Sequence, residues 1–147
     1  MIEAPTTEGA DAVVVDCDLE EPPHKVWRAL TEADLLAAWL GPNDIRPEVG
    51  HRFEVRPDAE AKAIACEVLE VEPQRSLRYA WRETDPDGRP VESEVTWTLI
   101  PRFDGGTRLR VVHGGFAPVL ALAGARSPAA ALERLLGLWA ECLRLAA

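Results

Sequence analysis

The sequence predicts an α+β fold: an antiparallel sheet of six strands carries helices on one face and closes over a long C-terminal helix. Three observations lead there. Apolar residues recur with helical spacing between residues 22 and 41 and again after residue 127, but with a period of two between them. Two turn signals, Asp85-Pro86-Asp87-Gly88 and Asp104-Gly105-Gly106, cut the alternating stretch into hairpins. Finally, 147 residues with 47% hydrophobic content fit one domain with an ordinary core.

Taken in order, residues 1–10 read as a flexible polar lead-in and residues 11–147 as the domain. Ala12–Leu19 (AVVVDCDL) is β-branched and ends in alternation, which predicts a first strand. Pro22-Pro23 opens a helix, where the missing N–H costs nothing, and Val26, Trp27 and Leu30 give it an apolar face. Thr31 is placed to cap a second helix carrying Leu35, Leu36, Trp39 and Leu40, and Gly41-Pro42 stops it. Five further strands are expected at 51–56, 63–71, 76–83, 91–100 and 107–113. Ser127-Pro128 then caps the last helix, whose stripe of Leu132, Leu135, Leu136, Trp139, Leu143 and Ala146 runs for about five turns. The order β-α-α-β-β-β-β-β-α places helices on one face of an antiparallel sheet.

Alternation assigns the faces. Leu77, Tyr79 and Trp81 share one side with Val95, Trp97 and Leu99 and with Leu109, Val111 and His113. Arg78, Arg82, Glu92, Glu94, Thr96, Thr98, Arg108 and Arg110 take the other, where they suit cross-strand pairing in water. Trp39 and Trp139 from the helices can join Trp81 and Trp97, so that four of the five tryptophans converge between sheet and helices. Composition alone leaves two outcomes open: a cavity lined by rings, or a filled aromatic core.

Composition narrows the function classes. A formal charge of −9 repels phosphate backbones and anionic lipid heads, so neither nucleic acid nor a membrane surface is an expected partner. The N-terminus lacks the basic and apolar regions of a signal peptide, and no apolar stretch is long enough to span a bilayer. Cys17, Cys66 and Cys142 are odd in number and far apart, which suits reduced thiols and a cytoplasmic location better than a disulfide or zinc framework. The three histidines form no metal-binding spacing, so no metal and no cofactor are expected.

Several segments together resemble a known family. Pro23-His24-Lys25-Val26-Trp27-Arg28-Ala29-Leu30-Thr31 and Trp39-Leu40-Gly41-Pro42 are followed by Val49-Gly50-His51-Arg52-Phe53 and Glu67-Val68-Leu69-Glu70-Val71-Glu72-Pro73. Leu77-Arg78-Tyr79-Ala80-Trp81, Val95-Thr96-Trp97-Thr98-Leu99, Gly106-Thr107-Arg108-Leu109, His113-Gly114-Gly115-Phe116 and Trp139 complete the pattern. In this order they resemble the activator of heat-shock-protein ATPase homologue branch of the START, birch-pollen-allergen and polyketide-cyclase superfamily (SRPBCC), over about residues 12 to 147. The resemblance implies a helix-grip fold, whose members mostly hold apolar ligands between sheet and C-terminal helix. Their activities range from lipid transfer and aromatic cyclisation to chaperone stimulation, so the fold does not fix the function. One departure is residues 117–126, unusually apolar where relatives are commonly charged. Plain packing is the simplest reading of that segment; an entrance lid, an early turn of the last helix or an oligomer contact that would make a homodimer are the others.

The expected ligand-binding residues are Trp39, Phe53, Tyr79, Trp81, Trp97, His113 and Trp139, around a hydrophobic small molecule. His113 is the one histidine expected on the inner face, and the only candidate for catalysis. No Asp or Glu is expected beside it to orient the ring, so a histidine satisfied at a strand end is the stronger reading. A binding protein is therefore preferred over an enzyme of cyclase or hydrolase type. A chaperone-stimulating module comes third, since a full activator carries an additional domain.

Overall fold

Alternation in the middle of the chain produces the sheet that it predicts. The computed structural model describes residues 6–8, 12–57, 63–84, 88 and 90–114. Its elements are β1 (Thr6–Glu8), β2 (Ala12–Leu19), α1 (Pro23–Thr31), α2 (Ala33–Ala37), β3 (Arg52–Val55), β4 (Ile64–Glu72), β5 (Ser76–Thr84), β6 (Pro90–Pro101) and β7 (Thr107–Gly114). All six expected strands are present. The seventh, β1, lies within the segment read as a lead-in and pairs with β2 through only three residues. The expected last helix, with Trp139, and the apolar segment 117–126 lie outside the described residues.

The strands run in the order β1-β2-β7-β6-β5-β4-β3, with every pairing antiparallel. From β2 the chain passes through α1 and α2 to the far edge, then meanders back from β3 until β7 pairs with β2. Val13, Val15 and Cys17 of β2 thereby face the same side as His113, Val111 and Leu109, their register partners on β7. The Asp104-Gly105-Gly106 turn forms as expected. Gly105 adopts φ 90°, Arg102 N–H donates to the Gly106 carbonyl (2.9 Å), and Gly106 N–H donates to Asp104 Oδ1 (3.0 Å).

The helical region differs from its sequence reading at one joint. Thr31 does not cap α2; it is the last residue of α1, and its hydroxyl donates to the Trp27 carbonyl one turn back at 2.7 Å. Glu32 alone separates the helices, extended at φ −95°, ψ 123°, and leaves no room for a separate capping residue. Past α2, the turn at Ala38–Leu40 buries Trp39 and Leu40. Gly41 is required twice over: its φ is +127°, and a Cβ there would lie 2.2 Å from the Arg56 carbonyl oxygen. Next to it the Arg56 N–H donates to the Pro42 carbonyl at 3.0 Å, which ties the end of the helical segment to the chain just past β3.

The two faces of the sheet separate as alternation requires. Val13, Val15, Phe53, Val55, Val68, Leu77, Val95, Leu99, Leu109 and Val111 are buried on the inner side with the larger aromatics. The outer side is a lattice of ion pairs: Asp16 with Arg110, Arg82 with Glu92, and Arg78 between Glu70 and Glu94. Among the described residues no helix is long and apolar enough to cross a membrane.

Candidate functional site: the aromatic inner wall

Six of the seven expected binding residues come together. Phe53 on β3 meets Tyr79 on β5 edge-on at 5.2 Å between ring centroids. Tyr79 stacks beside Trp81 at 6.5 Å, and Trp81 meets His113 on β7 edge-on at 5.2 Å. Trp97 on β6 joins from the other side: its indole N–H donates to the Tyr79 hydroxyl at 2.9 Å. Trp39, in the turn after α2, meets Trp97 edge-on at 5.6 Å and donates its own N–H to the Ala29 carbonyl of α1 at 3.3 Å. The result is a continuous aromatic wall across β3, β5, β6 and β7. Edge-to-face geometry places the positive rim of one ring against the negative face of the next, which fixes ring orientation as well as burying area. All six side chains are buried, with Trp39 the most accessible at 9%.

The wall is chemically polarised along the strands. At the end nearest α1 lie Leu77, Leu99 and Leu109. There a pocket of about 110 Å³ opens between α1 and the sheet, lined by Leu19, Val26, Ala29, Leu30, Trp39 and Leu109, with Glu21 and Lys25 at its side. At the opposite end the inner face turns polar. Ser93 on β6 is buried opposite Trp81, and its Oγ lies 2.6 Å from His113 Nε2 and 3.4 Å from the Trp81 carbonyl oxygen. Glu83, two residues beyond Trp81 on β5, is buried on the same side at 8% exposure.

Glu83 corrects the expectation that no carboxylate shares the face of His113. Ser93 was likewise missed. Their signal was present: the parity that turns Leu77, Tyr79 and Trp81 inward also turns Glu83 inward, and the parity of Val95 and Trp97 includes Ser93. Burial pushes the Cys66 thiol on β4 far above its ordinary value, and the charge of Glu83 pushes it the same way. Cys17 is raised chiefly by burial. Both thiols are free and protonated near neutral pH, and suit packing better than nucleophilic attack.

A larger basin, about 390 Å³, lies on the outer side of β3, β4 and β5 over Ala65 and Ala80. Its rim charges are engaged with neighbours: Arg52 with Glu67 at 3.1 Å, Arg82 with Glu92 at 2.9 Å, and Asp44 Oδ1 with the Glu54 N–H at 2.8 Å. Size alone does not make it the site; the convergent rings and polar groups are on the other face. Among the described residues no group of His, Cys, Asp and Glu is placed to hold a metal ion.

An antiparallel meander entered after two short helices, with its rings gathered on one face, is the architecture of the SRPBCC superfamily, and the residue pattern along the chain agrees. The chain belongs to the family described as Activator of Hsp90 ATPase homolog 1-like protein, matched over residues 20–137. Among solved structures it is similar to MLL2253 from Mesorhizobium loti, with 36% identity over 92% of this chain and 96% of that one, at a TM-score of 0.70. CV1439 from Chromobacterium violaceum is 25% identical over 92% and 93% of the two chains, TM-score 0.67. DynU16, a protein of the dynemicin biosynthetic locus, shares the fold at 24% identity and a TM-score of 0.73; the match covers 92% of this chain and 45% of DynU16. Comparison with curated proteins gave no significant match.

Proposed function

We propose that the protein binds a hydrophobic small molecule, its rings set against the wall of Trp39, Phe53, Tyr79, Trp81 and Trp97, with His113 supplying a polar contact. The carrying observation is the continuity of that wall: ring contacts run from Phe53 through Tyr79 and Trp81 to His113 and from Trp39 to Trp97, and the Trp97 N–H to Tyr79 hydroxyl bond joins the two groups. Indole and phenol groups bonded to one another and to backbone keep their faces oriented, which suits stacking against a flat apolar guest. The pocket beside Trp39 extends the wall at its apolar end. The fold-level likeness to DynU16, a protein of a biosynthetic locus, is compatible with a small-molecule ligand. Trp139, the seventh expected ligand contact, is part of the same proposal and lies outside the described residues.

Native mass spectrometry of freshly purified protein, set against its denatured mass, tests the proposal. A released adduct is expected and names the ligand class. Affinity for that adduct left unchanged in a folded Trp97→Ala variant sinks the assignment.

A second reading, a small enzyme of cyclase or hydrolase type, is favoured by the 2.6 Å contact between Ser93 Oγ and His113 Nε2, which is within proton-transfer reach. A pH–rate profile that disappears in His113→Asn supports it, and turnover retained in that variant refutes it. Stimulation of a chaperone ATPase rests on the family description alone.

A further inference from the structure

Ser93, Glu83 and His113 sit on three adjacent strands at one end of an otherwise apolar face. A polar group buried at such a position is costly unless a partner satisfies it. Ser93 is the informative member. A hydroxyl offers one donor and two acceptor positions. Among the described residues its oxygen meets the Trp81 carbonyl oxygen at 3.4 Å and His113 Nε2 at 2.6 Å. With the hydroxyl proton directed at Trp81, the oxygen accepts from His113 and retains one acceptor position. Directed at His113, the same proton leaves two. In either arrangement the group still accepts a hydrogen bond, and its donor is used. Glu83, on the next strand, carries two carboxyl oxygens that accept in either form. This end of the wall is thus rich in acceptors.

We infer that the ligand is amphipathic, an aromatic or polycyclic body carrying a hydroxyl that donates to Ser93 at the Glu83–His113 end of the wall, while its apolar part lies toward Leu77, Leu99 and Leu109. The inference rests on the binding proposal and adds the ligand's polar chemistry and its direction. A neutral hydroxyl is favoured over a carboxylate, since an anion beside Glu83 meets like charge in a low-dielectric setting.

Equilibrium dialysis of the full chain against matched ring pairs tests this: 2-naphthol with naphthalene, 9-phenanthrol with phenanthrene, and 2-naphthoate as the acid. The hydroxylated member of each pair is expected to bind about threefold to tenfold more tightly, the range one net hydrogen bond gives, although it is the more water-soluble of the two. Ser93→Ala removes that preference while retaining affinity for the plain hydrocarbon. Glu83→Gln, similar in shape, narrows the discrimination against 2-naphthoate, and it provides a readout if Ser93→Ala fails to fold. Equal or tighter binding of the hydrocarbons by the unaltered protein overturns this inference and leaves the binding proposal standing. A preference that persists in folded Ser93→Ala also overturns it. If no member of either pair binds, this inference falls, and the binding proposal is decided by the adduct in native mass spectrometry.

Discussion

The two faces of this sheet are made by the same strands, residue by residue in alternation, and the chemistry they carry is opposite. On the inner face, Trp97 and Tyr79 are buried against one another through a 2.9 Å hydrogen bond. On the outer face of the same two strands, Arg78 and Glu94 hold a diagonal 3.2 Å ion pair in water. The inner pair combines burial of large apolar area with an oriented polar contact, whereas solvent screens most of the attraction of the outer pair. Buried area and the proposed site therefore share one face, and the paired charges occupy the other. A substitution should act according to its parity in the strand more than according to its distance from the sheet centre.

The largest effect is expected at the centre of the wall. Trp97→Ala removes a fully buried indole, its edge contact with Trp39 and the donor to Tyr79, and should cost about 3–5 kcal/mol. Urea denaturation followed by circular dichroism measures it. A loss below about 1 kcal/mol, within the range of ordinary surface changes, would mean that the wall contributes little to the fold and that the contrast between the faces fails.

Next comes Ser93→Ala, which removes a buried hydroxyl bonded to His113 and leaves the imidazole nitrogen without that partner. About 1–3 kcal/mol is expected in the same assay. The two inner-face effects differ in kind. The first is cavity and area, the second an unmet hydrogen bond, and only the first should be accompanied by a large change in near-ultraviolet dichroism.

Much of this contrast is legible in the sequence. The runs Leu77-Tyr79-Trp81 and Val95-Trp97-Leu99 fix the buried parity of β5 and β6, and the turn residues fix where β6 gives way to β7. Tyr79, Trp81 and Trp97, which that parity assigns to one face, do meet there. The polar end of the wall was harder to read because Glu83 and Ser93 are residue types usually assigned to solvent, so their composition argues against their parity. Which argument prevails depends on tertiary cover, and sequence periodicity does not encode that. Three-residue β1 is too short to show a period, and its pairing depends on β2 being present as a template. The Thr31–Glu32 joint escaped because a threonine before an apolar run satisfies a capping pattern and a back-bonding pattern equally well.

The buried thiol of Cys66 extends the comparison to pH. Its folded-state pKa lies above the ordinary thiol value of 9.0, because burial and then Glu83 disfavour the thiolate. The unfolded chain therefore releases this proton at lower pH than the folded one. The thiol's contribution to stability is complete below pH 9.0 and declines as pH rises beyond it. Denaturation midpoints between pH 8 and 10 should fall more steeply for the parent protein than for Cys66→Ala, by up to one proton per molecule. Parallel slopes would place Cys66 in contact with water in the folded state.

The smallest effects belong to the outer face, and they should differ among themselves. Asp16 holds Arg110 through two bonds, 2.7 and 3.2 Å, with its carboxylate only 14% exposed. Arg52 meets Glu67 at 3.1 Å with its own side chain 85% exposed. Desolvation and bidentate geometry strengthen the first pair, whereas screening and side-chain entropy weaken the second. Double-mutant cycles should give a coupling of about 0.5–1 kcal/mol for Asp16–Arg110, and for Arg52–Glu67 a value close to zero once discounted for exposure. Raising salt from 0.1 to 1 M should reduce the Asp16–Arg110 coupling only in part, since a half-buried pair is less screened than an exposed one. Equal couplings would mean that exposure does not rank the ion pairs of this face, and that its charges act through their sum and not pair by pair.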